Sequence, residues 1–142
     1  MLDALQRLDR YNLVIRTAAA VLVLAGGIIH LRLDTSWPNN NVELMWRLNF
    51  AGSVAIAIAL VVWRHWLPVL AGLGLVNGTL VAFGLSRTET GIPFTDVGGQ
   101  NFLEIRWNPS PEAALSVVVE IAAAVLLVVL IPAAIPKNTG DP

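Results

Sequence analysis

Polar positions divide this chain into four long apolar stretches. Charge is dense up to Arg16, and the run from Thr17 to Ile29 that follows carries none. A second stretch, rich in Ala and Ile, covers Leu44 to Trp63, a third Leu67 to Leu85, and a fourth Pro111 to Ile131. Stretches of about 20 residues, rising about 1.5 Å each, match a hydrocarbon core about 30 Å thick. Backbone polar groups cannot stay unpaired in lipid, so stretches of this length are read as helices. The pattern predicts an all-α fold, a transmembrane up-down four-helix bundle. It forms one domain over residues 1–142, with spans near 13–33, 44–63, 67–85 and 111–131. Pro111 suits the first turn of the last helix, and Pro132 and Pro136 are expected to stop it.

The connections refine this picture. The turn around Arg64–Trp66 is short enough to make an antiparallel hairpin of the second and third helices. Pro38 and three Asn residues mark Asp34 to Glu43 as irregular. The long connection, Ser86 to Ser110, places Ile92–Val97 and Phe102–Trp107 on either side of Gly98–Asn101. That is the pattern of two short strands, a β-hairpin that would cap one mouth of the bundle. In the leader, Leu2, Leu5 and Leu8 recur every three residues between charges, which fits a helix lying on the membrane surface or a frayed end. The first helix is read as retained, because no small-x-small cleavage site follows its apolar run. Gly74, Gly78 and Ala82 repeat at four-residue spacing, as do Ala51, Ala55 and Ala59. These small-residue faces are expected to meet, or one of them to serve a homodimer.

Composition agrees with a membrane protein. Apolar residues make up 56% of the 142 and charged residues 13%, with a mean hydropathy of +0.67; soluble domains carry about 25% charged residues. The net charge of −1 offers no basic footprint, so nucleic acid is not expected as a partner. With no cysteine there is neither a disulfide nor a thiolate metal site. Trp37, Trp46, Trp63, Trp66 and Trp107 lie near the ends of the second and fourth helices, as in an interfacial belt. Arg7, Arg10, Arg16, Arg64 and Lys137 share one side, against Arg32, Arg47, Arg87 and Arg106 on the other. That bias places both termini in the cytoplasm of a cell (plasma) membrane protein.

Candidate chemistry comes from polar residues within the spans. Glu120 lies near the middle of the fourth helix, where an unpaired carboxylate costs about 2.5–3.5 kcal/mol, so it is expected to face the bundle beside a partner. His30, Arg47, Asn49 and Asn77 supply candidates from the other three helices, all in the outer half or the midplane. The inner half is read as holding almost no polar group. Together these residues suggest a ligand-binding pocket open to the outside, with Asp96 and Glu104 as further candidates from the outer loop. The alternative is a buried pair that fixes helix register. The only other histidine, His65, sits at the opposite face, which excludes a bis-histidine haem. No HExxH, Walker loop or nucleophile elbow occurs. A metal site from His30, Glu120 and Glu104 would require the loop to fold back. The metal and the cofactor stay unassigned.

Gly27-Ile28-Ile29-His30-Leu31, the loop segment Gly91-Ile92-Pro93-Phe94 followed by an acid, and the mid-span Glu120 carry a resemblance. With these the chain resembles small uncharacterised four-helix integral membrane proteins of actinobacteria, and it is broadly similar to DoxX-type four-helix proteins. The resemblance implies a bacterial four-helix membrane fold and carries no motif for a redox role. The leading function is binding of a small ligand, ion or lipid in the outer pocket, as an accessory to transport and not as an enzyme. The second is a structural subunit of a larger membrane complex. The third is a quinone-linked redox enzyme. The bilayer, a homo-oligomer and a larger complex are the partners considered.

Overall fold

The structure, a computed structural model, describes residues 2–32, 40–97, 100–102 and 110–134, with side chains over 11–32, 41–93, 95 and 110–132. Four helices dominate: α1 (Leu2–Arg32), α2 (Asn40–Val62), α3 (Trp66–Ser86) and α4 (Pro111–Ala134). Between α3 and α4 lie the short strands β1 (Ile92–Val97) and β2 (Gln100–Phe102). Stretches Tyr11–Arg32, Asn41–Val62, Trp66–Ser86 and Pro111–Pro132 are each long and apolar enough to cross a membrane.

Local signals explain the helix boundaries. The Ser110 hydroxyl accepts from the Ala113 amide at 3.2 Å, and Pro111 fills the first helical position of α4. His65 starts α3 in the same way, its Nδ1 accepting from the Leu67 amide at 3.2 Å. Three boundaries differ from expectation. α2 begins at Asn40, inside the stretch expected to be irregular, and not at Leu44. The leader is helical from Leu2 and continuous with the first span. Pro132 does not stop α4, which runs on to Ala134. Proline removes one hydrogen bond to the preceding turn, and with two helical residues after it the helix loses little else.

α1 packs between α2 and α4, and α3 packs on α4 and, over a smaller area, on α2. α1 and α3 are therefore diagonal in an up-down bundle. Its core joins Ala19, Ala20 and Val23 to Ala57, Leu60, Val69, Val76, Ala123, Leu127 and Leu130. On α4 the buried residues Ser116, Glu120, Ala123, Leu127 and Leu130 recur at alternating four- and three-residue steps, while Val118, Ile121, Val125 and Val128 point outward. α1, α2 and α3 carry exposed apolar residues too, among them Val21, Ile58, Val62 and Val81. Apolar surface so extensive suits lipid and not water.

The small-residue faces do not meet. Buried Val69, Gly72 and Val76 set the core-facing stripe of α3, which turns Gly74 and Gly78 to open space. On α2 the buried positions are Val42, Ser53, Ala57 and Leu60, which leaves Ala51 and Ala55 exposed. The close approach is instead between α1 and α2. A methyl group on Gly27 would lie 2.6 Å from both Cβ and Oγ of Ser53. Gly27→Ala is therefore expected to lower stability by about 1 kcal/mol through overpacking. Gly78→Ala should stay within about 0.5 kcal/mol of wild type. Thermal unfolding of both variants in the same detergent checks the contrast.

β1 and β2 pair antiparallel, with Ile92 opposite Phe102 and Val97 opposite Gln100. Two residues separate the strands, where four were expected, because β2 starts at Gln100. The rest of the predicted second strand, 103–107, lies outside the described residues. Ile92 and Thr95 are buried, and β1 contacts α2 and α3, so this hairpin covers one end of the bundle. Arg87, the C-cap of α3, is buried beside it with its guanidinium 4.6 Å from the Phe83 ring centre.

Candidate polar site at the hairpin end of the bundle

Contact at Gly27 and Ser53 puts the last turn of α1 beside the second and third turns of α2. His30, two residues before the end of α1, projects there into the bundle. Glu120 reaches it from α4, on the stripe that also carries Ala123 and Leu127. Both side chains are buried, with relative exposures of 6% for His30 and 4% for Glu120.

His30 Nε2 lies 2.6 Å from Glu120 Oε1. Ser116, one turn before Glu120, places its hydroxyl 3.2 Å from the same Nε2 and donates to Oε1 at 3.5 Å. The imidazole stacks on Trp46 of α2, with ring centres 4.7 Å apart and planes 9° apart. Three helices thus hold one ring. A contact this short between nitrogen and carboxylate is charge-assisted. When Glu120 is ionised, Nε2 must carry the bonded hydrogen. Nδ1 is then a bare acceptor in neutral histidine and a donor in the imidazolium. Among the described residues it has no hydrogen-bond partner in either form, as is true of the buried atoms Trp46 Nε1 and Asn49 Oδ1.

Beside Glu120 lies a cavity of about 10 Å³, the space for one water. All four helices line it, with Gly26, Asn49, Ser53, Thr79 and Glu120 among the walls. Among the described residues the hydrogen bonds of the carboxylate run to Oε1. Thr79 donates its hydroxyl hydrogen to the Val76 carbonyl at 2.8 Å.

Of the residues expected at the site, Glu120 and His30 meet, and Asn49 lines the cavity together with Glu120. Arg47 does not take part. Its side chain is 67% exposed and pairs with Glu43 one turn earlier. Three residues separate Asn49 from Trp46 and four separate it from Ser53, so all three share a face, which turns Arg47 away. Asn77 is also outside the site, for it is exposed and donates to the Leu73 carbonyl of its own helix at 2.8 Å. The backbone of Asp96 belongs to β1; its side chain, and the whole of Glu104, lie outside the described residues. Among the described residues no three His, Cys, Asp or Glu side chains gather as metal ligands.

Sequence reading missed Ser116, Ser53 and the role of Trp46. Ser116 stands one helical turn from Glu120, a spacing that marks it as sharing the acid's face. Trp46 was read as part of an interfacial belt, although its spacing to Asn49 and Ser53 places it on the inward face. Arg16 was missed as well, and with it a polar contact in the other half of the bundle. Only 2% exposed, it takes Asn12 Oδ1 at 2.9 Å and the Leu60 and Trp63 carbonyls at 3.5 and 3.4 Å. It thereby caps the C-terminus of α2 from α1. Compared with family models, curated proteins and solved structures, the chain and its fold match none.

Proposed function

We propose that this is a multi-pass protein of the plasma membrane, with both termini cytoplasmic, whose His30–Glu120–Ser116 cluster reversibly binds a small ion, the proton first. It serves transport as an accessory and performs no chemistry of its own. The observation behind this proposal is the buried 2.6 Å contact of His30 with Glu120 beside a water-sized cavity. Pockets for organic ligands run to about 300–1,000 Å³, so a cavity of this size favours an ion. An acid and a base at this separation exchange a proton without moving. Four helices enclose too little room for a pore, so passage of ions would need a second copy or a larger partner.

A second role is favoured by the same pair's position. It joins α1 to α4, the first and last helices, and would act as a clasp in a subunit of a larger assembly. Imidazole ¹⁵N spectra of the protein in lipid bilayers separate the two. For the ion-binding role, the His30 signals should change on proton uptake, and Glu120→Gln should alter that change with the fold intact. Signals that do not respond to added acid or base would leave only the clasp.

A further inference from the structure

We propose that the turn between α2 and α3 is a headgroup site for an anionic phospholipid, in which Arg64 takes the phosphate and Trp63 and Trp66 lie along the glycerol and first methylenes. The site is independent of the ion-binding role above, because this turn lies at the end of the bundle away from the β-hairpin.

The chemistry of the turn is one-sided. Its side chains, Trp63, Arg64, His65 and Trp66, bring hydrogen-bond donors and no carboxylate. Indole and guanidinium groups only donate. His65 Nδ1 accepts from the Leu67 amide at 3.2 Å, so the neutral ring carries its hydrogen on Nε2, a further donor. A phosphodiester complements this set, since its charged oxygens only accept. The planar guanidinium fork matches two of those oxygens at once.

Exposure and order at the turn fit a bound headgroup. Arg64 is exposed, and Trp63 and Trp66 keep 52% and 36% of their surface open. The His65 ring lies 5.0 Å from that of Trp63 and 5.3 Å from that of Trp66. Aromatic side chains of this kind settle at headgroup level. The backbone is held in advance, for the Trp63 carbonyl accepts from the His65 amide at 2.8 Å and from buried Arg16 at 3.4 Å. An ordered turn loses less entropy on binding. Arg16 also acts on Arg64 as a like charge, which raises the positive potential at this surface.

The distribution of charge selects an anionic lipid over a zwitterionic one. By sequence position Arg7, Arg10, Arg16, Arg64 and Lys137 share this side with three acids, Asp3, Asp9 and Asp141. The opposite side has four basic residues against six acids. One end is therefore net positive and the other net negative, and anionic lipid is drawn to the first.

The test uses the full chain in mild detergent, with phosphatidylglycerol compared against phosphatidylcholine of the same acyl chains. Native mass spectrometry counts retained lipid, and thermal unfolding reads its effect. Phosphatidylglycerol should stay bound at about one molecule per chain and raise the melting temperature by about 3–6 °C at roughly tenfold excess over its dissociation constant. Phosphatidylcholine and inorganic phosphate at equal concentration should do neither. Arg64→Gln should weaken the affinity for phosphatidylglycerol about fivefold, whereas Arg47→Gln, at the exposed arginine of the other end, should leave it unchanged. Equal responses to the two lipids, or an undiminished response in Arg64→Gln, would overturn the site and leave an aromatic belt indifferent to the headgroup. A response lowered alike by both variants would replace the site with general charge attraction. A shift by inorganic phosphate as large as the lipid's would remove the lipid from the proposal and so overturn it.

Discussion

Glu120→Leu is expected to cost the bundle about 2–3 kcal/mol, and the double variant Glu120→Leu/His30→Leu to return most of that loss. Two magnitudes bracket the single change. An interhelical hydrogen bond within a membrane contributes about 0.6 kcal/mol on average and about 1.7 at most. Removing one member of a buried ion pair costs about 3–5 kcal/mol, because the other is left charged without a partner. His30 can shed its charge, which takes the cost below that upper range. Its Nε2 would still lose the 2.6 Å partner, and the nearby Ser116 hydroxyl offers only a 3.2 Å substitute. The double variant removes both polar groups and fills the space with apolar side chains, a replacement often neutral or stabilising. Thermal unfolding of the four proteins in one detergent yields the coupling directly. Additive single changes, with no recovery in the double variant, would show that the two side chains do not interact.

Arg16→Met should lower stability by about 2 kcal/mol, and Arg16→Lys should recover only part of the loss. Hydrogen bonds to a charged group contribute about 1.5–3 kcal/mol, and a cation near a helix C-terminus adds up to about 2 in a partly buried setting. Here the contacts to the Leu60 and Trp63 carbonyls are long, at 3.5 and 3.4 Å, and the contact to Asn12 is short at 2.9 Å. The lower part of the combined range is therefore expected. A guanidinium reaches three acceptors with one planar fork, which an ammonium group on a flexible stem cannot reproduce. Unfolding measurements on the three proteins decide this. A methionine variant as stable as wild type would show that the capping contacts contribute nothing.

Much of this fold was legible because lipid simplifies the code. Hydrophobic length alone separates four helices when every backbone polar group must be paired within its own segment. The start of α4 was readable too, since Ser110 and Pro111 carry a local signal. What could not be read was the rotation of each helix about its axis. Most side chains are apolar on every side, so the periodicity that tells inward from outward faces in soluble proteins is weak here. Small residues were therefore taken as contact faces, yet Gly74 and Gly78 look outward while Gly27 makes the close approach.

Rotation also decided the site. Glu120 announces its inward aim because a carboxylate facing hydrocarbon is costly. Asn77 carries no such compulsion, since its amide can bond a carbonyl of its own helix and remain outside. Arg47 is accommodated by Glu43 in the preceding turn. Arg16 was counted only as a charge for orientation, because nothing in the sequence places it opposite the end of α2. Ser116 and Trp46 were within reach of spacing once Glu120 and Asn49 had been chosen as references.

A carboxyl and an imidazole from the first and last helices touch inside the bundle. Through-space solid-state NMR in lipid bilayers, with labelled histidine nitrogen and glutamate carboxyl carbon, tests it most directly. A strong correlation between His30 Nε2 and the Glu120 carboxyl carbon, absent in Glu120→Leu, is the predicted result. A Glu120 carboxyl that correlates with lipid acyl chains or headgroups and not with His30 would contradict the account.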